Sequence, residues 1–196
     1  MKKIIFVILI LIIILAGGWY FFLGEKQQSL EGLKTAHPGL SSQIDSVIKA
    51  QANLDENGDE IENYTTLGLA WKSLADWSQK EGVENYKDYY REALKIYEAG
   101  VKRSLRKNTL LMVNAGNMAK YIEDYKLAED YYKEAISVSP GDESYYSYLA
   151  QLYENEMEKS KEEVLAVYDE GLKKVLNKAG LTAKKSAYLE RIGETQ

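Results

Sequence analysis

Apolar positions follow two regimes along this chain. From Ile4 to Leu23 there is no charged residue, and Lys2 and Lys3 precede the run. At 1.5 Å rise per residue such a stretch spans a hydrocarbon core of about 30 Å. Beyond it the apolar residues recur at three- and four-residue intervals, the period of helices with one buried face. Residues 24–39 show no sustained period and contain His37-Pro38-Gly39, so they read as a juxtamembrane linker. Leu40, Ile44, Val47 and Ile48 share a face in an N-terminal helix over 40–54, with Ser41 or Ser42 as its cap. Ile61, Tyr64, Leu67, Gly68, Trp71, Leu74 and Ala75 form a wide stripe, and Tyr86, Tyr90, Ala93, Tyr97, Gly100, Val101 and Leu105 form the stripe of a partner helix.

Stop signals divide the rest. Asn108-Thr109 and Asp142 are N-cap positions, Pro140-Gly141 ends a unit, and Ser160-x2-Glu163 is a capping box. Gly180-Leu181-Thr182 reads as a break before a last segment, Ala183 to Ile192.

The segment from Asn114 to Pro140 carries more than period. Asn114, Gly116 and Asn117 precede a turn at Asp124-Tyr125, followed by Ala128-x3-Tyr132-x2-Ala135 and a closing proline. This arrangement resembles a tetratricopeptide repeat (TPR), in which two helices pack through small residues within roughly 34 positions. Leu67-Gly68-x2-Trp71 with Ala93-x3-Tyr97-x2-Gly100 resembles a second copy, and Tyr148-Leu149-Ala150 with Val164-x3-Tyr168-x2-Gly171 a third. The first copy departs from the pattern, because Leu67 and Tyr97 lie 30 positions apart where Ala115 and Tyr132 lie 17 apart. Long helices and an insert near Gln79 to Glu84 are expected there.

The resemblance implies an all-α fold: a TPR-like helical hairpin array, or α-solenoid, over 61–196, preceded by a single transmembrane helix over 1–23. Its repeats would run about 61–107, 108–141 and 142–179, with a capping helix at 182–193. Arrays of this kind bind proteins along a groove lined by the first helix of each repeat. By that resemblance the groove takes Val113, Asn117, Lys120, Tyr121 and Asp124 from the central repeat, and Ser147, Gln151, Glu154 and Asn155 from the next. Thr65, Leu69, Lys72 and Ser73 are the less securely registered candidates of the first. Most of the 16 tyrosines, Tyr97, Tyr132, Tyr153 and Tyr168 among them, fall on interhelix positions and are expected in the core.

Composition narrows the function. With Lys2 and Lys3 set aside, 23 basic side chains remain against 30 acidic ones, a formal charge of −7 that disfavours nucleic acid. Lys102, Arg103, Arg106 and Lys107 sit at an expected helix end, where cations complement the carbonyl dipole. Mixed groove charges, Lys120 with Asp124 and Glu154, favour a neutral or basic peptide, or a helix, over an acidic one. There is no cysteine, and His37 is the only histidine, on a loop. Catalysis and a cofactor are therefore not expected.

Lysines at the N-terminus and none in excess after Leu23 place that end in the cytoplasm and the array outside it, with the bilayer met by residues 4–23. Ala16-Gly17-Gly18 leaves a cleaved signal, and so a soluble envelope assembly factor, as the alternative. A calcium-dependent structural or adhesion module is a further alternative, since Asp55 to Asp59 is similar to the start of a calcium loop, although Glu60 and Thr66 stand where a glycine and a glutamate are needed.

Overall fold

The computed structural model describes residues 29–57 and 60–194, and every regular element among them is helical. The expected membrane span over 4–23 lies outside the described residues. Among those described, no helix is long and apolar enough to cross a membrane. In chain order the elements are α1 (29–36), a 3-10 turn at Pro38–Leu40, α2 (Ser41–Asn57), α3 (Ile61–Lys80) and α4 (Tyr86–Arg103). Then follow α5 (Thr109–Tyr121), α6 (Tyr125–Val138), α7 (Glu143–Asn155), α8 (Lys161–Lys174) and α9 (Ala179–Arg191). From α2 onward each helix packs on the next, so the chain forms a run of hairpins, α3/α4, α5/α6 and α7/α8, with α9 closing against α7 and α8.

Local chemistry explains most of the boundaries. Asn108 Oδ1 accepts from Leu111 N at 3.0 Å and Asp124 Oδ1 from Leu127 N at 3.1 Å. Asp142 Oδ1 accepts from Ser144 N at 2.9 Å, and Ser160 with Glu163 completes a reciprocal capping box. The long first hairpin is real: α3 has 20 residues and α4 has 18, against 13 and 14 for α5 and α6. The extra length is taken up largely within the helices, leaving only a short turn over 81–85.

Four expectations need correction. Residues 29–36 of the supposed linker are helical, because Leu30 finds a buried seat and Leu33 packs on the same core. Ser41 is no N-cap; its hydroxyl donates back to Pro38 O at 2.7 Å as the 3-10 turn runs straight into α2. The α2 helix also continues through Asn57, where Asn57 Nδ2 donates to Asn53 Oδ1 and Gln51 Nε2 to Asp55 Oδ1. Asp55 therefore sits in the last turn of α2, its Oδ1 accepting from Gln51, and residues 58–59 of the expected calcium loop lie outside the described residues. Gly180 and Leu181 likewise belong to α9, since Asn177 Oδ1 accepts from Ala179 N and Leu181 is fully buried beside Gly171.

The core is continuous through the central hairpin. Tyr131 and Ala135 join the cluster built from α1 to α5, while Tyr132 and Ala128 join the cluster of α7 to α9. Neighbouring tyrosines on α6 thus serve opposite sides. Close approach is set by small residues facing rings: a Cβ on Gly68 would stand 2.4 Å from Tyr97 Cε1, and one on Gly116 would stand 2.7 Å from Tyr132 Cε1. Both rings are buried and have nowhere to move.

Gly68→Ala is expected to lower stability by about 1–3 kcal/mol, because overpacking against Tyr97 outweighs alanine's better helix propensity. Gly32→Ala in α1, where nothing lies within 4 Å of the added methyl, is expected to stabilise by about 0.5–1 kcal/mol. Urea unfolding of the two variants checks both signs.

Candidate partner-binding face

The first helix of each hairpin turns one stripe to solvent. On α5 the spacing i, i+4, i+7, i+11 brings Leu110, Asn114, Asn117 and Tyr121 into line, and on α7 Ser144, Tyr148, Gln151 and Asn155 do the same. Leu110 is 56% exposed, Tyr121 39% and Tyr148 37%. In a chain with 28% charged residues, neither stripe carries a charge. Asn114, Gln151 and Asn155 make no side-chain hydrogen bond among the described residues, so their donors and acceptors are available.

Two tyrosines fix the aromatic parts of this face. Tyr121 stacks on Tyr90 with centroids 4.8 Å apart, and the ammonium groups of Lys72 and Lys120 each lie 5.6 Å from its ring centre. Lys72 is held by Asp76 at 2.6 Å, and the Tyr90 hydroxyl donates to the same carboxylate. Tyr148 stacks on Tyr132 with centroids 5.7 Å apart. Tyr132 in turn donates its buried hydroxyl to Asn117 Oδ1 at 2.8 Å.

Of the nine groove residues expected from the sequence, Asn117, Lys120, Tyr121, Gln151 and Asn155 do reach this face. Val113 is buried, because its place on α5 turns toward the neighbouring helices. Ser147 is buried too: its hydroxyl donates to Glu143 O and accepts from Lys184 Nζ of α9. Asp124 is the N-cap of α6. Glu154 is clamped by Arg191, whose guanidinium donates to both carboxylate oxygens at 2.6 and 2.7 Å. The last two are spent on folding, since a cap and a bidentate pair satisfy the groups a partner would need. From the first repeat, Leu69 is 49% exposed, Lys72 is paired, and Thr65 donates to Ile61 O. Leu110, Asn114 and Tyr148 were missed; extending the helical period from Asn117 and Gln151 would have found them.

The basic cluster also resolves. Lys102 and Arg103 occupy the last turn of α4, while Arg106 makes a two-pronged pair with Glu134 of α6. Leu105 and Arg106 adopt left-handed φ angles of 52° and 55°, steadied by Arg106 N donating to Val101 O.

One buried carboxylate invites a catalytic reading. Glu129 of α6 accepts from Tyr153 at 2.6 Å and from Lys133 at 2.5 Å, with Lys126 at 3.3 Å. Burial alone would raise its pKa, but the hydrogen bonds from Lys133 and Tyr153 and the Lys133 charge outweigh it and bring it down to about 2. A carboxylate held ionised by three donors is a poor proton acceptor; it joins α6 to α7. Among the described residues no group of His, Cys, Asp or Glu is arranged to hold a metal.

The backbone matches known repeat proteins. It superposes on TTC0263, a thermophilic TPR protein of Thermus thermophilus, with a TM-score of 0.60 at 19% identity, over 84% of this chain and 81% of that one. The fold is a TPR array. MamA from Desulfovibrio magneticus RS-1, residues 41 to its end, is similar as well, with a TM-score of 0.56 at 14% identity over 86% of each chain. No protein-family model and no curated protein matches the sequence of this array.

Glu129 supplies a pH test. Its pKa is depressed from an ordinary 4.5, so its contribution to stability is present above that value and is lost as pH falls toward 2. Glu129→Gln is expected to be less stable than the parent by on the order of 2–3 kcal/mol at pH 7. The gap between the two urea midpoints should narrow as pH drops from about 5 to about 2.5.

Proposed function

We propose that this chain is a membrane-tethered TPR scaffold that recruits a protein partner, holding an extended peptide or a helix along the stripes of α5 and α7. The observation that carries the reading is the pair of uncharged stripes, with Lys120 beside Tyr121 at their edge. Free amides at Asn114, Gln151 and Asn155 alternate there with exposed Leu110, Tyr121 and Tyr148. Amide side chains pair with both the N–H and the C=O of a peptide backbone, and exposed rings and leucine supply apolar anchors. Charges that would select an acidic partner are absent from the stripes, and those beside them are mostly neutralised, Lys72 by Asp76 and Glu154 by Arg191. The partner segment is accordingly neutral, and its binding is weakly dependent on salt. The likeness to TPR proteins, a fold commonly used to bind proteins, supports the scaffold class.

The tether is residues 4–23, with Lys2 and Lys3 on the cytoplasmic side and the array outside the cytoplasm. Carbonate washing of membranes is expected to leave the full chain in the pellet. Protease added to intact spheroplasts is expected to digest the array. Release by carbonate overturns the tether, and protection of the array overturns its orientation.

Partner capture distinguishes amides that are free from the one that is not. Replacing Asn114, Gln151 and Asn155 together by alanine should weaken capture about tenfold or more while shifting stability by under about 0.5 kcal/mol per site. Asn117→Ala, by contrast, leaves the buried Tyr132 hydroxyl without an acceptor and should cost about 1–2 kcal/mol of stability. Unchanged capture by the triple variant would move the partner site off this face.

A further inference from the structure

The turns that join one hairpin to the next share one rim of the array. Glu60, Ile61 and Glu62 face Arg103, Ser104 and Leu105 across a shallow hollow, and Arg106 reaches Glu134 near the end of α6. Thr109 at the start of α5 accepts from the Tyr145 hydroxyl at the start of α7 at 2.8 Å, and Gly141 and Asp142 border Leu176 and Asn177. The two most exposed large apolar side chains among the described residues stand on this rim, Leu176 at 99% and Leu105 at 76%. Neither is loose. Leu105 has a left-handed φ of 52°, which leucine rarely adopts and glycine ordinarily supplies after a helix. Its N–H donates to Lys102 O at 3.0 Å, which fixes the turn. Leu176 stands between buried Val175 and Asn177, whose Oδ1 accepts from Ala179 N at 3.1 Å. The fold itself gains nothing from holding these two side chains in water.

Exposed ammonium groups flank both tips, Lys102 and Lys107 beside Leu105, and Lys173, Lys174 and Lys178 beside Leu176. None of these lysines makes a hydrogen bond or ion pair among the described residues. Of the neighbouring acids, Asp142 caps α7 and Glu143 lies against Gly180 at the start of α9, which leaves Glu60 and Glu62 beside Leu105. The rim is therefore rich in free cations on a chain whose acids outnumber its bases, 30 to 25. We propose that this rim docks on an anionic lipid surface, with Leu105 and Leu176 entering the headgroup layer and the lysines meeting lipid phosphates. Such a surface satisfies both kinds of side chain together, because leucine leaves water while a long lysine stem keeps its ammonium among the headgroups. An acidic peptide would pair the lysines and leave two leucines on separate turns in water. A bilayer is a continuous plane and takes both. The stripes of α5 and α7 run along their helices away from this rim, from Leu110 to Tyr121 and from Ser144 to Asn155, so docking leaves them open to a partner.

The inference is separate from the partner face and stands whether or not residues 4–23 cross a bilayer. Because the chain has no cysteine, the full-length protein takes a single engineered thiol for a polarity-sensitive dye. With vesicles of phosphatidylcholine and phosphatidylglycerol in equal amounts, dye at Leu176→Cys and at Leu105→Cys should brighten and be quenched by nitroxide-bearing lipid. Dye at Lys95→Cys, an exposed position in the middle of α4, should not. Vesicles of phosphatidylcholine alone, or Lys173→Gln with Lys174→Gln and Lys178→Gln, should lower quenching at Leu176→Cys about tenfold, and added salt should act in the same direction. Quenching at one tip only overturns the shared rim, and equal quenching in phosphatidylcholine alone overturns the anionic surface. No quenching at either tip, with binding to polyglutamate through the same lysines in its place, assigns the rim to an acidic protein and overturns the proposal. Carbonate extraction reads the tether independently.

Discussion

The array depends on a ring seated against a helix that has no side chain at the point of contact. Tyr97 lies over Gly68 and Tyr132 over Gly116, and at the matching place in the third unit Tyr168 and Ala150 are both buried. Such contacts let the two helices of a hairpin approach until the phenol ring is enclosed, which maximises dispersion and excludes water. They also commit the hydroxyl. Burial pushes the Tyr97 and Tyr132 hydroxyls far above their ordinary pKa, so both are neutral donors. The Tyr132 hydroxyl reaches Asn117, while the Tyr97 hydroxyl finds no acceptor among the described residues. The central hairpin thus links its core to its solvent face through one hydrogen bond, and a residue that looks like part of a binding surface is also part of the packing.

Charge is distributed with the same consequence. The pairs that matter to architecture join different helices: Glu129 ties α6 to Tyr153 of α7, Glu154 ties α7 to Arg191 of α9, and Arg106 ties the end of α4 to α6. Each leaves its carboxylate largely enclosed, where a bidentate or multiply bonded geometry offsets the cost of desolvation. Removing these ions from the stripes of α5 and α7 leaves amides, aromatics and leucine facing solvent. A face of that composition selects by shape and backbone hydrogen bonding and places little weight on the partner's charge.

Much of this was legible in the sequence. The caps at Asn108, Asp142 and Ser160, the small positions Gly68 and Gly116, and the burial of Tyr97, Tyr132, Tyr153 and Tyr168 follow from spacing and side-chain chemistry within one or two turns of helix. The same local rules put Asn117, Tyr121, Gln151 and Asn155 on a solvent stripe. They missed α1, because a helix of eight described residues with Gly32 in its middle has no period long enough to read. They also misjudged the end of α2 and the start of α9, where side-chain bonds from Asn57 and Asn177 and the burial of Leu181 extended helices past polar or glycine-containing stretches.

Sequence alone determined the class of this fold: helical hairpins in series, behind an uncharged N-terminal run. Periodicity is a property of one helix, and one helix suffices to reveal it. What the tertiary structure decided is which residues on the right face remain free. Ser147, Glu154 and Asn117 have the position expected of a groove residue, yet Lys184, Arg191 and Tyr132 come from other helices to occupy them. Their partners lie 15 to 37 positions away in the chain. No local pattern encodes such a pairing, because it exists only once the neighbouring helix has been set in place by the rings and glycines of the core.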